Sequence, residues 1–232
     1  MNKVLEFKNI SRKFSLNDET LSVLREVNFS IHEKEKIALI GPSGAGKTSF
    51  LHIAGLLELP TSGEVYINNN LIDWNSDKIL SQHRLNDIGF IFQFNNLLDD
   101  FNATENTAIP FILSGNSKKL SIEKAEFLLS EVGLGKRLKS YPNQLSGGEQ
   151  QRVAIARSLI NDPKIIFRMS ANSLIMLSDS VGQTTNLGYQ NASKESKEHA
   201  HTKILVYGCL EAFQNGCQKF VMTSSKIYRK FK

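Results

Sequence analysis

Cysteine is scarce in this chain: its 232 residues include two, Cys209 and Cys217. That excludes a disulfide framework and a zinc site built from four cysteines. Long apolar runs are missing too, since the stretch 51–57 is already broken by His52, far short of the roughly 18 to 20 residues that cross a bilayer. The opening Met1-Asn2-Lys3-Val4-Leu5-Glu6-Phe7-Lys8 alternates charge with apolar residues and lacks the unbroken core of a secretory signal, so a cytosolic location is expected. The net charge is +5, yet no Lys/Arg run is interleaved with aromatics, so no nucleic-acid partner is expected. What is there is an ordinary globular composition, 41% apolar and 22% charged, on a chain long enough to bury a full core.

Alternation predicts antiparallel strands near the amino end: Leu5 and Phe7 alternate with Val4, Glu6 and Lys8, then Val27, Phe29 and Ile31 with Asn28 and Ser30. A turn is expected at Asn17-Asp18. Lys36-Ile37-Ala38-Leu39-Ile40 is a short apolar run of the buried, parallel-sheet kind, ended by Gly41. The spacing of Leu51, Ala54 and Leu57 predicts a helix over 48–57 that must stop before Pro60. Further strands are expected at 65–67, closed by Asn68-Asn69-Asn70, and at 88–94 and 164–167. Helical pattern fills 98–138, with Ser121 as an N-cap and Gly133 and Gly135 as stops. Another helix follows Gly147-Gly148, carries Val153, Ala156, Leu159 and Ile160, and ends at Asn161-Asp162-Pro163. The expected fold is α/β, with a parallel sheet core, an antiparallel β subdomain and a helical subdomain over about 98–138. Residues 168–201 are rich in Ser, Asn, Gln, Gly and Thr without a sustained period, and order is expected to return at 203–206, 210–213 and 220–222.

Gly41-Pro42-Ser43-Gly44-Ala45-Gly46-Lys47-Thr48, with Ser49 following, fits the phosphate-loop pattern G-x-x-x-x-G-K-[ST] between a buried strand and a helix. Glycines at positions 41, 44 and 46 let backbone N–H groups and the helix N-terminus face phosphate oxygens with no Cβ in the way. Lys47 would place a charge on the terminal phosphates, and the Thr48 hydroxyl would hold Mg²⁺. The alternative is a glycine-rich turn that binds nothing. Its four fixed positions arise by chance in about one chain of this size in a hundred, and the flanking strand and helix lower that further.

Leu145-Ser146-Gly147-Gly148-Glu149-Gln150 is a second Ser/Gly turn leading into a helix, by itself no more than an ordinary N-cap. Paired with the phosphate loop it is specific, and at this point the chain resembles the nucleotide-binding subunit of ABC transporters, whose signature motif these residues match. The likeness covers 1–167. Within that family it is most similar to the LolD-type, lipoprotein-releasing branch, on Leu51-His52-Ile53-Ala54-Gly55-Leu56-Leu57, on the stretch from Gly89 to Asn106, and on Arg152-Val153-Ala154-Ile155-Ala156-Arg157-Ser158-Leu159.

The resemblance implies one ABC-type domain over 1–232 that binds ATP and Mg²⁺. It places Phe14 where an aromatic stacks on adenine, the alternative being a core Phe at a strand end. It places Gln93 where an amide reaches Mg²⁺ or the attacking water; otherwise Gln93 is a surface residue. The family works as a head-to-tail dimer, so Ser146, Gly147 and Gly148 would act on a nucleotide held by the other subunit. That dimer could form with a second copy or with an intact paralogue, attached to transmembrane permease subunits at the cytoplasmic face of the inner membrane.

The likeness breaks after Phe167. Where the family has Asp-Glu-Pro-Thr, this chain has Met169-Ser170-Ala171-Asn172, and Gly208 replaces the histidine expected near the γ-phosphate. Met offers no hard oxygen to Mg²⁺, and a Ser hydroxyl without an adjacent base takes no proton from water at neutral pH. Hydrolysis should therefore be impaired while ATP binding survives. The Ser- and Asn-rich stretch also replaces a helix expected to cover the sheet, which predicts reduced stability over 168–201. A shifted reading frame is the other explanation: Met169-Ser170 coded ATG-AGC, after an Arg codon ending in G, spells Asp-Glu one nucleotide earlier. Reading the coding DNA from Lys164 to Tyr207 in every frame separates the two.

Overall fold

The computed structural model describes residues 2–16, 19–33, 35–40, 44–169 and 173–178. The expected turn at Asn17-Asp18, the start of the phosphate loop at Gly41-Pro42-Ser43, and every element expected beyond residue 200 lie outside the described residues. Two compact units emerge. One holds the described residues up to Gln93 together with those from Lys164 onward, and the other is Phe94–Pro163.

In the first unit, the alternating amino-terminal segments form β1 (Lys3–Leu16) and β2 (Glu19–His32), paired antiparallel. Strands β4 (Ser62–Ile67) and β5 (Asn70–Leu71) extend this sheet in the order β2-β1-β4-β5. Asn68 and Asn69 link the last two with φ of 50° and 63°, the left-handed pair that a tight hairpin needs and that asparagine tolerates. Leu5, Phe7, Val27 and Ile31 are buried as the alternation predicts.

The second sheet contains β3 (Lys36–Ile40), β6 (Ile88–Ile91), β7 (Ile165–Met169) and β8 (Ser173–Ser178), ordered β3-β8-β7-β6. Strands β6 and β7 are parallel, whereas β8 runs antiparallel to both its neighbours. The sequence pattern predicts a parallel core and no strand in this stretch, so this is a correction. Its cause is chain length: only residues 170–172 separate β7 from β8, and so short a connection permits only an antiparallel return. The patch Leu174-Ile175-Met176-Leu177 lacks alternation because its slot is flanked by strands on both sides.

Helix α1 (Lys47–Ala54) follows β3 and stops three residues short of the expected 57. Gly55 is its C-cap, a position where a Cβ would sit 2.5 Å from the Phe90 ring, and Leu56 at φ 56° takes the chain out of the helix. Phe50 on its buried face packs against Phe7 at 4.9 Å and Phe29 at 5.1 Å between ring centroids, which fixes the helix to the antiparallel sheet. Helix α2 (Asp77–Asn86), capped by Ser76, carries one buried residue, Leu80, too thin an apolar stripe to read from sequence.

The second unit is helical: α3 (Ala103–Leu113), α4 (Lys118–Glu131), the 3₁₀ turn Pro142–Gln144 and α5 (Gly147–Leu159). Ser117, not Ser121, caps α4 and accepts from the Leu120 amide. Ser121 lies one turn inside, fully buried, its hydroxyl donating to the Ser117 carbonyl at 2.8 Å. The apolar face of Ala125, Leu128, Leu129 and Val132 is buried as predicted, as are Val153, Ala156, Leu159 and Ile160 on and beyond α5.

Candidate functional site

Among the described residues, four of the five α-helices are capped at their N-termini by a side chain, Ser76, Asn102, Ser117 and Ser146, and α1 is the exception. Its N-cap is Gly46 at φ 80°, with no side-chain cap and no acidic residue in the first turn. The N–H groups of an uncapped first turn carry partial positive charge, an arrangement suited to an anion. Gly46 is held there by β2. A register shift in the β1–β2 ladder pairs Arg12 with Leu24 and then Lys13 with Ser22. Val23 thus bulges toward Gly46, whose hypothetical Cβ would lie 3.0 Å from the Val23 carbonyl oxygen. Of the other sequence-predicted loop residues, Gly44 has φ 81° and is exposed, Ala45, Lys47 and Ser49 are half-buried, and Thr48 is exposed.

Phe14 lies on β1, half-buried rather than in the core. Gln93 follows β6 and is exposed. Met169, where a carboxylate is expected from the family resemblance, ends β7 and pairs with Leu174 of β8, while Ile40, the last residue before the phosphate-loop sequence, pairs with Ser173. The amino-terminal end of β8 therefore stands between the carboxyl ends of β3 and β7, where open α/β sheets place ligands. Among the described residues no cluster of three or more His, Cys, Asp or Glu could hold a metal.

Ser146, Gly147 and Gly148 belong to the second unit, at the start of α5. Ser146 and Glu149 form a capping box: the Glu149 amide donates to Ser146 Oγ at 3.3 Å and the Ser146 amide donates to Glu149 Oε2 at 2.8 Å. The Gln150 amide adds bonds to the carbonyls of Pro142 (2.8 Å) and Leu145 (3.3 Å), holding the turn. All three motif residues are exposed, and a Cβ at Gly147 would meet nothing within 4 Å. Among the described residues nothing lies close enough to require glycine at 147.

The hydrogen bond from the Ser146 amide, aided by Arg137, holds Glu149 below the usual carboxylate range. A carboxylate with a lowered folded pKa contributes stability that is complete above the unfolded pKa and lost as pH falls through the folded one. Glu149→Gln is therefore expected to leave α5 stability unchanged in acid and to lower it at neutral pH. Melting followed between pH 3 and pH 7 checks this, and an equal loss at both ends would contradict it.

Two groups escaped the sequence reading. Arg157 on α5 donates to the carbonyls of Asn95 (2.7 Å) and Asn96 (2.8 Å), and burial pushes its pKa down. Its partners are backbone groups, which leave no mark in a sequence. The other is Arg12, whose guanidinium lies 4.4 Å from the Phe14 ring centroid. The i, i+2 spacing on a strand could have suggested it.

Comparison with known proteins agrees with this geometry. The family described as ABC transporter matches residues 24–168. The lipoprotein-releasing system ATP-binding protein LolD of Rickettsia bellii is 50% identical over 165 residues, 71% of this chain and 72% of that one. Its namesake in Syntrophus aciditrophicus is 44% identical over 164 residues, 70% and 73% of the two chains. A dimeric ATP-binding cassette in a post-hydrolysis state, bound to ADP and Pi, is 39% identical with a TM-score of 0.65, over 71% and 72% of the respective chains. A match over more than half of the sequence, together with relatives at this identity, makes the chain a member of the ABC transporter family of ATP-binding proteins.

Proposed function

We propose that this chain is the ATP-binding subunit of an ABC transporter that releases lipoproteins from the inner membrane, working at the cytoplasmic face beside transmembrane permease subunits. The observation that carries ATP binding is the uncapped, left-handed start of α1 at Gly46 within the phosphate-loop sequence. In this reading the loop Gly41, Pro42, Ser43, Gly44, Ala45 and Gly46 would surround the phosphates, with backbone N–H groups from all but Pro42, which has none, and Ser49 would add a contact from the helix. Lys47 neutralises the terminal phosphates. The Thr48 hydroxyl and the Gln93 amide hold Mg²⁺, which when bound draws charge from the phosphoryl oxygens. Phe14 stacks on adenine. Residues 1–232 act as one nucleotide-binding domain, in which 98–138 form the greater part of the helical subdomain.

Ser146, Gly147 and Gly148 act on the nucleotide of a second subunit, a role that would account for a glycine at 147 where a Cβ meets no described residue of its own chain within 4 Å. The end of β7 favours a second reading alongside the first, in which ATP is bound but turned over slowly. Met169 cannot position Mg²⁺, and the antiparallel β8 fills the place beside the phosphate-loop strand.

Slow turnover makes the dimer observable. With Mg-ATP, sedimentation of the full chain is expected to give a long-lived dimer, and with Mg-ADP a monomer. Gly147→Val is expected to bind ATP and stay monomeric, because the added side chain meets nothing in its own subunit. A wild-type chain that stays monomeric at saturating ATP would remove the reading.

A further inference from the structure

We infer that Arg12 is a positioning residue for the base-stacking aromatic, and that Glu58 and His52 tie this platform to the helix carrying the phosphate loop. The inference rests on the reading of Phe14 as the adenine platform. Arg12 and Phe14 are two residues apart on β1 and so project from the same side of the strand, with the guanidinium carbon 4.4 Å from the ring centroid. A guanidinium over one face of a ring restricts the ring's rotation and leaves the opposite face for a second flat partner. Arg12 is itself held. Its Nε donates to Glu58 Oε1 at 2.7 Å, and both side chains are about four-fifths buried, with 22% and 20% exposed.

Glu58 uses its other oxygen too: Oε2 lies 3.5 Å from Nδ1 of His52, on the last turn of α1. The backbone around it is anchored to the same helix, because the Glu58 amide donates to the His52 carbonyl at 3.2 Å. A continuous chain of contacts thus runs from Phe14 through Arg12 and Glu58 to the helix whose first turn faces the phosphates. The β2 bulge at Val23 supplies a backbone link beside it, opposite Arg12 and Lys13 and against Gly46. Distance between the base platform and the phosphate loop is thereby set by side chains at the carboxyl end of α1 and by the β2 bulge at its start, a specificity device for a nucleotide with a flat base.

Titration calorimetry of the full chain with Mg-ATP and with Mg-tripolyphosphate, which has no base, tests this. Phe14→Ala is expected to weaken ATP about tenfold and leave tripolyphosphate unchanged. Arg12→Met, which keeps the stem and removes the charge, is expected to weaken ATP about twofold to fivefold, again with tripolyphosphate unchanged, and Arg12→Lys to recover part of the loss. If Arg12→Met proves unfolded, Glu58→Gln makes the same test by loosening the guanidinium. An unaltered Phe14→Ala overturns the platform reading itself. A weakened Phe14→Ala beside an Arg12→Met that binds ATP normally or more tightly overturns the role of Arg12 alone. Equal weakening of ATP and tripolyphosphate in Arg12→Met reduces Arg12 to a structural residue and also overturns the inference.

Discussion

Lys47→Ala is expected to cost ATP affinity about 10- to 100-fold, the worth of a lost charge-assisted contact, while leaving phosphate release at the rate of the unsubstituted chain. In a working ATPase the two quantities fall together. On the slow-turnover reading they should separate, because that reading leaves the wild-type chain without the groups that break the bond. Met169 ends β7, where the family resemblance implies a Mg²⁺-positioning carboxylate, and a thioether is a poor partner for a hard cation. Loss of the general base at position 170 alone removes about 10²- to 10⁴-fold in rate. The sheet offers no relief, since β8 is hydrogen-bonded to β3 on one side and β7 on the other, leaving no slot between them for a further strand. Binding by calorimetry and turnover by phosphate release, on the same preparations, decide the matter. A wild-type rate well above that of Lys47→Ala would show that another group serves as base and would sink the slow-turnover reading.

Gly46→Val is the second substitution with a large expected effect, and it acts on fold and site at once. Gly46 has φ 80°, where a β-branched residue is strained by about 1–3 kcal/mol. The new Cβ would also sit 3.0 Å from both Cγ1 and the carbonyl oxygen of Val23 and 3.2 Å from Cδ2 of Leu24. Relief requires β2 or the start of α1 to move; the first loosens the antiparallel sheet, and the second turns the first-turn N–H groups away from the proposed phosphate. We expect a fall in melting temperature of about 2–8 °C together with loss of measurable ATP binding. A variant that melts normally would mean that the bulge at Val23 yields freely. One that melts lower yet binds ATP normally would mean that the loop reads phosphate without α1.

Much of the candidate site was legible because its chemistry is local in the chain. A phosphate loop needs glycines, a lysine and a hydroxyl at fixed spacing, so Gly44, Gly46, Lys47 and Thr48 announce themselves in one octet. The Ser146-to-Glu149 spacing likewise carries the capping box seen at α5. The amino-terminal hairpin was readable from alternation, since each strand of that sheet has a buried and an exposed face. Errors fell where local signals compete or vanish. Two serines four residues apart both suit a helix start, and the choice of Ser117 over Ser121 depends on which one the packing of α4 buries. Arg157 was silent because its partners are backbone carbonyls about sixty residues away.

By itself the sequence determined which residue types stand at which short spacings: the glycines, lysine and hydroxyl of a phosphate-loop pattern, a glycine-marked helix start, and no Asp-Glu pair directly after Phe167. Only the tertiary structure decided that Leu174-Ile175-Met176-Leu177 becomes a strand, that it enters between β3 and β7, and that it runs against both. A four-residue apolar run has no period of its own. Its direction is imposed by a three-residue connection to β7, and its place by two strand edges whose N–H and C=O groups would otherwise go unpaired. The stacking of Arg12 on Phe14 was decided in the same way, since Glu58, brought in from beyond the end of α1, holds the guanidinium over the ring.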